Sequence, residues 1–103
     1  MQKKVREFNE ANRVYDEEMP VSARMLDIIS EMGELNKEYL KSSNYGTKKF
    51  TLTKDFELEF GDCMYSLMCL ANEVGLDADK SLDKVIAKYK ERISKNNRLD
   101  SGN

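Results

Sequence analysis

Apolar positions recur along this chain at steps of three and four, and the breaks between runs divide it into four helical segments. The first, from about Lys3 to Glu17, carries Val5, Phe8, Ala11 and Tyr15 on one side, and Met19-Pro20 interrupts it. Pro20 or Ser22 can open the second, about Val21 to Lys41. In it Val21, Met25, Ile28, Ile29, Met32, Leu35 and Tyr39 fall within one arc. Residues 42 to 50 read as the clearest loop. The third segment, about Thr53 to Val74, has the widest apolar face (Phe56, Phe60, Cys63, Met64, Leu67, Met68, Leu70 and Ala71) and reads as the central, most buried helix. Gly75 suits the position that ends it, and Asp77 can cap a fourth helix over about Ala78 to Asn96. Leu82, Val85, Ile86, Tyr89 and Ile93 give that helix an inner face. The expected fold class is all-α: one helical domain over residues 1–96, followed by a polar, disordered tail over 97–103.

The polar positions carry more chemistry than the apolar ones. Glu31-Met32-Gly33-Glu34 and Glu59-Phe60-Gly61-Asp62 are two i,i+3 carboxylate pairs with 24 residues between them. Residues three apart project from one face of a helix, so two packed helices can aim four carboxylates at one point. Acids on a helix ordinarily serve only to solvate it, and such acids have a lysine or arginine at i±3 or i±4. Glu31 has Asp27, Ile28, Glu34 and Leu35 at those positions, Glu59 has Asp55, Phe56, Asp62 and Cys63, and Asp62 has Leu58, Glu59, Tyr65 and Ser66. Only Glu34 sees a lysine, Lys37, although the chain holds 17 basic residues. Acid stacked on acid beside an apolar edge points to a bound cation, and a set of hard oxygen donors selects magnesium, manganese or calcium.

Composition narrows the chemistry. With 103 residues the chain is one domain with a small core, for which oligomerisation is a route to further burial. There is no histidine, which excludes Ser-His and Cys-His nucleophilic catalysis, imidazole-built zinc sites and the Glu-x-x-His di-iron bundle. A net charge of −2 without a large basic block argues against a nucleic-acid duplex as partner. No apolar run approaches the roughly 18 residues that suggest a membrane span, and the polar Met1–Arg6 start has no signal-peptide core after it. Cys63 and Cys69, six apart in an apolar stretch, fit two free buried thiols in a reducing compartment, so a cytoplasmic location is expected. Lys84, Lys88 and Arg92 recur on one side of the fourth helix and could meet phosphates, although cations toward a helix C-terminus also satisfy its dipole.

The two acid pairs in this order resemble the MazG-like family of all-α nucleoside triphosphate pyrophosphohydrolases. Glu31-Met-Gly-Glu34-Leu35 is similar to the family's Glu-x-Gly-Glu-Leu segment. Glu59 to Asp77 is similar to its metal-binding helix and the Gly-Ile/Leu-Asp turn that follows, and Phe8 through Tyr15 to its first helix. The likeness covers roughly residues 5–93. It implies a four-helix bundle completed by dimerisation, as homodimer or homotetramer, and hydrolysis of a nucleoside triphosphate to monophosphate and pyrophosphate. It also implies Mg2+ (or Mn2+) held by Glu31, Glu34, Glu59 and Asp62, with Glu31 or Glu34 as the general base. Two positions depart from the pattern. The family's Lys-x-x-x-Asn-x-x-Arg, aligned on Arg92, meets Val85 and Tyr89 here, with Lys84 and Lys88 out of register. The aromatic that often ends the first helix is Tyr15, a candidate to stack on the base or to pack in the core. Phosphoribosyl-ATP pyrophosphohydrolase, from the same superfamily, typically has histidine after a tyrosine where this chain has Tyr65-Ser66. The rivals to a house-cleaning nucleotide hydrolase are that enzyme type, a non-catalytic helical interaction module with an inherited metal or nucleotide site, and a plain structural bundle.

Overall fold

A computed structural model of the chain describes residues 1–14 and 20–96. Within them it contains four α-helices and no strand: α1 (Gln2–Ala11), α2 (Val21–Ser42), α3 (Lys54–Val74) and α4 (Ala78–Asn96). Tyr15 and the 97–103 tail lie outside the described residues.

Local chemistry explains most of the boundaries. Thr53 caps α3, its side chain accepting from the Phe56 N–H at 3.1 Å. Gly75 ends that helix in the left-handed region at φ 75°, where a side chain would be strained. Asp77 then caps α4, accepting from the Lys80 N–H at 3.0 Å. α1 is shorter than its apolar pattern predicts. The Asn12 side chain donates to the Phe8 carbonyl at 2.9 Å and Arg13 turns to φ 52°, so the helix stops at Ala11. The α2–α3 loop folds around Ser43, which is fully buried. Its hydroxyl donates to the Tyr39 carbonyl at 2.8 Å and accepts from the Gly46 N–H at 3.0 Å.

α2 and α3 form an antiparallel hairpin, and its seam is the main packing in the molecule. Arg24 meets Glu73 at one end, and the Tyr39, Phe50 and Phe56 rings pack at the other, with centroids 5.7 and 5.0 Å apart. Cys63, Ser66, Met68, Cys69 and Ala71 are the buried residues of α3, which confirms it as the central helix; both cysteines are free thiols. α1 lies on α3 largely through polar contacts. The Tyr65 hydroxyl donates to Asn9 Oδ1, and Gln2 bonds both Asn72 and the Leu76 carbonyl. Gln2 Oε1 also accepts from the Ala78 N–H at 2.6 Å, clasping the start of α4.

Two expected core faces do not enter the core. The hairpin seam takes only one edge of the α2 apolar arc, through Ile28 and Leu35, and leaves Met25, Ile29 and Met32 outside. Phe60 and Leu67 on α3 are likewise exposed. α4 has no extensive packing on the other helices. Leu82, Ile86, Tyr89 and Ile93, read from the sequence as an inner face, are 38–57% exposed. The reason is geometric: α3 packs at the border between the apolar arc and the acidic stripe, so that half of each stripe faces the seam. No helix among the described residues is long and apolar enough to cross a membrane.

Candidate metal centre

That border packing carries the acids to one place. α2 presents Glu31 and α3 presents Glu59 and Asp62, and one carboxylate oxygen from each lies within 4.8 Å of the others. Glu31 and Glu59 are half-buried and Asp62 is exposed. Helical spacing explains the convergence. Arg24, Ile28, Glu31, Leu35 and Glu38 follow one another at steps of three and four along the side of α2 that meets α3.

The electrostatics of the cluster are repulsive. Partial withdrawal from water and then the charges of Asp62, Asp27 and Glu34 push Glu31 above the usual carboxylate range. Glu59 is pushed the same way by loss of hydration and by Asp62, Glu34, Glu31 and Glu38. The charges acting on these two residues are all carboxylates. Beneath them lies Cys63, whose thiol is pushed up by burial and by Glu31, Asp62 and Glu59, so it stays protonated and serves as a packed floor.

Glu34 does not join the close group. It stands one turn along α2, about half exposed, with its carboxylate 3.6 Å from Lys37 Nζ. Lys84 and Lys88 are exposed on α4, and Arg92 is half-buried there; α4 has no extensive packing on the acid-bearing hairpin. Lys88 Nζ lies 5.5 Å from the Tyr89 ring centroid. Tyr15 lies outside the described residues.

The donor set suits a hard divalent cation. Two ligands of one ion can be no farther apart than twice the metal–oxygen distance, about 4.2 Å for magnesium and about 5 Å for calcium. Oxygens already within 4.8 Å therefore need only a side-chain adjustment of under about an ångström to share magnesium.

One feature of the site escaped the spacing argument. Arg24 Nε donates to Glu73 Oε2 at 2.7 Å, with the two side chains 7% and 14% exposed. This ion pair clamps the open end of the hairpin and holds the seam shut against carboxylate repulsion. Its signal was present: Arg24 stands seven residues before Glu31, and Glu73 eleven after Asp62, each on the acid-bearing side of its helix.

The chain is 34% identical over 73 residues to the uncharacterized protein YpjD of Bacillus subtilis (strain 168). That match covers 68% of this chain and 64% of the relative, so the chain spans just under two thirds of its length. No family model matches the chain, and no solved structure matches it.

Proposed function

We propose that the protein is a magnesium-dependent nucleoside triphosphate pyrophosphohydrolase of MazG-like type, working on the cytoplasmic nucleotide pool as a homodimer or homotetramer. The observation that carries this reading is the convergence of Glu31, Glu59 and Asp62, from two helices, with only carboxylates acting on the first two. Glu31, Glu59 and Asp62 would hold Mg2+ or Mn2+, which supplies charge neutralisation of a triphosphate and acidification of a bound water.

The chain's own groups divide the remaining work. Glu34, outside the close group and adjacent to it, is available to accept the proton of the attacking water. The new P–O bond forms from that water, the α–β bridging bond breaks, and the bridging oxygen leaves with pyrophosphate. Glu31 is the other candidate for the base, and its raised proton affinity suits that role. Lys84, Lys88 and Arg92 supply cations for the phosphates once α4 is brought over a site.

Incubation with a panel of canonical and modified nucleoside triphosphates plus magnesium, with pyrophosphate as readout, tests the reading. Pyrophosphate from at least one nucleotide, lost on chelation, is the expected result. No pyrophosphate from any nucleotide with either magnesium or manganese overturns it. The sparse packing of α4 on the other helices favours a second reading, a helical interaction module that keeps the metal site without turnover. That reading predicts metal binding without pyrophosphate release.

A further inference from the structure

We propose that the α2–α3 loop is a docking surface for an anionic lipid bilayer, which the protein touches at its hairpin tip without crossing it. This surface is independent of the catalytic reading: residues 39–54 carry it through their charge, exposure and backbone conformation.

Charge is sorted along the hairpin. Residues 39–54 hold four lysines and no acid, although the chain as a whole carries a net charge of −2. Lys41 is accounted for locally: its Nζ lies 3.6 Å from Glu38, and the helix dipole favours a cation in the last turn of α2. Lys48, Lys49 and Lys54 are exposed and form no ion pair among the described residues. Lys54 opens α3, where the dipole disfavours a cation, and Asp55 and Glu57 satisfy that end of the helix instead. From Lys54 back to Asp62 is about 12 Å along α3 at 1.5 Å per residue. That exceeds the screening length of about 8 Å at physiological salt, so the carboxylate centre does not cancel the lysines of the loop.

Among these lysines stands a side chain that the fold does not use. Tyr45 is 76% exposed and held at φ 59°, in the left-handed region that a bulky residue rarely adopts. Other groups fix the turn. The N–H groups of Tyr45, Gly46, Thr47 and Lys48 bond the Leu40 carbonyl, the Ser43 hydroxyl, the Asn44 carbonyl and the Ser43 carbonyl. The Phe50 ring anchors the far side between Tyr39 and Phe56. The Tyr45 side chain itself makes no hydrogen bond or ring contact among the described residues. A strained residue that returns nothing to the fold points to a role outside it. Leu52, 65% exposed in the same loop, adds an aliphatic side chain to the tip.

Among polyanions a bilayer fits this tip best. A tyrosine and a leucine beside lysines can rest in the headgroup layer: the ring and the aliphatic chain enter it while the ammonium groups meet lipid phosphates. A single-stranded nucleic acid could stack one base on Tyr45, but successive bases need successive aromatic faces, and Leu52 offers none. Each lysine near an anionic leaflet strengthens binding about fivefold. Three such lysines, with partial burial of two apolar side chains, give an association constant on the order of 10⁴ M⁻¹, the strength of a single acyl chain. The contact is weak and reversible.

Vesicle flotation tests the surface without metal or nucleotide. The protein should float with vesicles of equimolar phosphatidylserine and phosphatidylcholine at low salt, and should not float with pure phosphatidylcholine. Lys48→Gln combined with Lys49→Gln should weaken binding about 25-fold, and high salt should abolish it. Tyr45→Asn relieves the left-handed strain, so it should lower vesicle binding while Tm stays unchanged or rises. Leu52→Ser, at an exposed position, should lower binding with helicity retained. No flotation with the anionic vesicles overturns the proposal. So does binding that survives the double lysine variant. Oligothymidylate that binds through Lys48 and Lys49 and displaces the protein from the vesicles also overturns it, and assigns the loop to single-stranded nucleic acid. None of these outcomes bears on metal binding or turnover, so the hydrolase reading stands or falls separately.

Discussion

The α2·α3 seam and α4 are built from the same materials, amphipathic helices of about twenty residues, yet they behave in opposite ways. The seam buries a charged pair and crowds three carboxylates together, and it is the best-packed part of the molecule. α4 has a regular apolar stripe, capped and continuous, and buries little of it. Amphipathic pattern therefore does not say where a helix packs. In this chain the seam is held by an ion pair at one end and packed rings at the other, and α4 packs on its neighbours far less. Three experiments press on that contrast.

The largest effect should come from the clamp. Removing one member of a buried ion pair leaves an uncompensated charge and costs about 3–5 kcal/mol. Arg24→Met should destabilise the fold by that order in urea unfolding. Arg24→Met with Glu73→Leu should recover most of the loss, because a well-packed apolar pair often replaces a buried ion pair without cost. Ile86→Ala, on α4, should cost under about 0.5 kcal/mol, as for an exposed site. If Ile86→Ala in dilute protein costs as much as Arg24→Met, the contrast is wrong.

The carboxylates come next. Changing groups that merely support metal ligands commonly costs 10–100-fold, so Glu59→Gln or Asp62→Asn should lower pyrophosphate release by more than about 100-fold with helicity unchanged. Glu34→Gln separates base from ligand: it should reduce turnover and leave the magnesium-induced rise in Tm in place. Asp62→Asn should abolish that rise. Wild-type turnover in Asp62→Asn removes the cluster from the mechanism.

These outcomes also locate what the sequence could and could not say. The end of α3 and the start of α4 were legible because Gly75 and Asp77 are strong local signals, each acting within a few residues. Three of the four acids were legible as a group because i,i+3 spacing on two helices leaves few other arrangements. α1 ended early because a side-chain bond from Asn12 competed with the helix, an effect periodicity does not register. The exposure of Met25, Ile29, Phe60 and the α4 stripe was illegible for a deeper reason. An apolar arc marks a face that can pack; how much of it does depends on where α3 settles around α2. The Arg24–Glu73 pair joins the two helices at the acid border, and half of the arc is left uncovered.

The smallest effect, and the most specific to the seam, is in pH. Glu31 and Glu59 hold their protons more tightly in the folded chain than in the unfolded one. Stability therefore falls as pH rises through the window above the ordinary carboxylate range, because the folded state binds the extra protons there. What these groups contribute is present in full below the unfolded value and is lost as pH passes their raised values. Gln at either position removes one charge from the cluster, so Glu31→Gln and Glu59→Gln should each be more stable than wild type near neutral pH. That advantage should shrink as pH falls, read as the difference in urea midpoint across the series. Magnesium at neutral pH should give wild type a similar gain and the variants much less. A variant whose advantage is the same at every pH would mean that the carboxylates of the seam do not strain one another, and the contrast with α4 would then rest on packing alone.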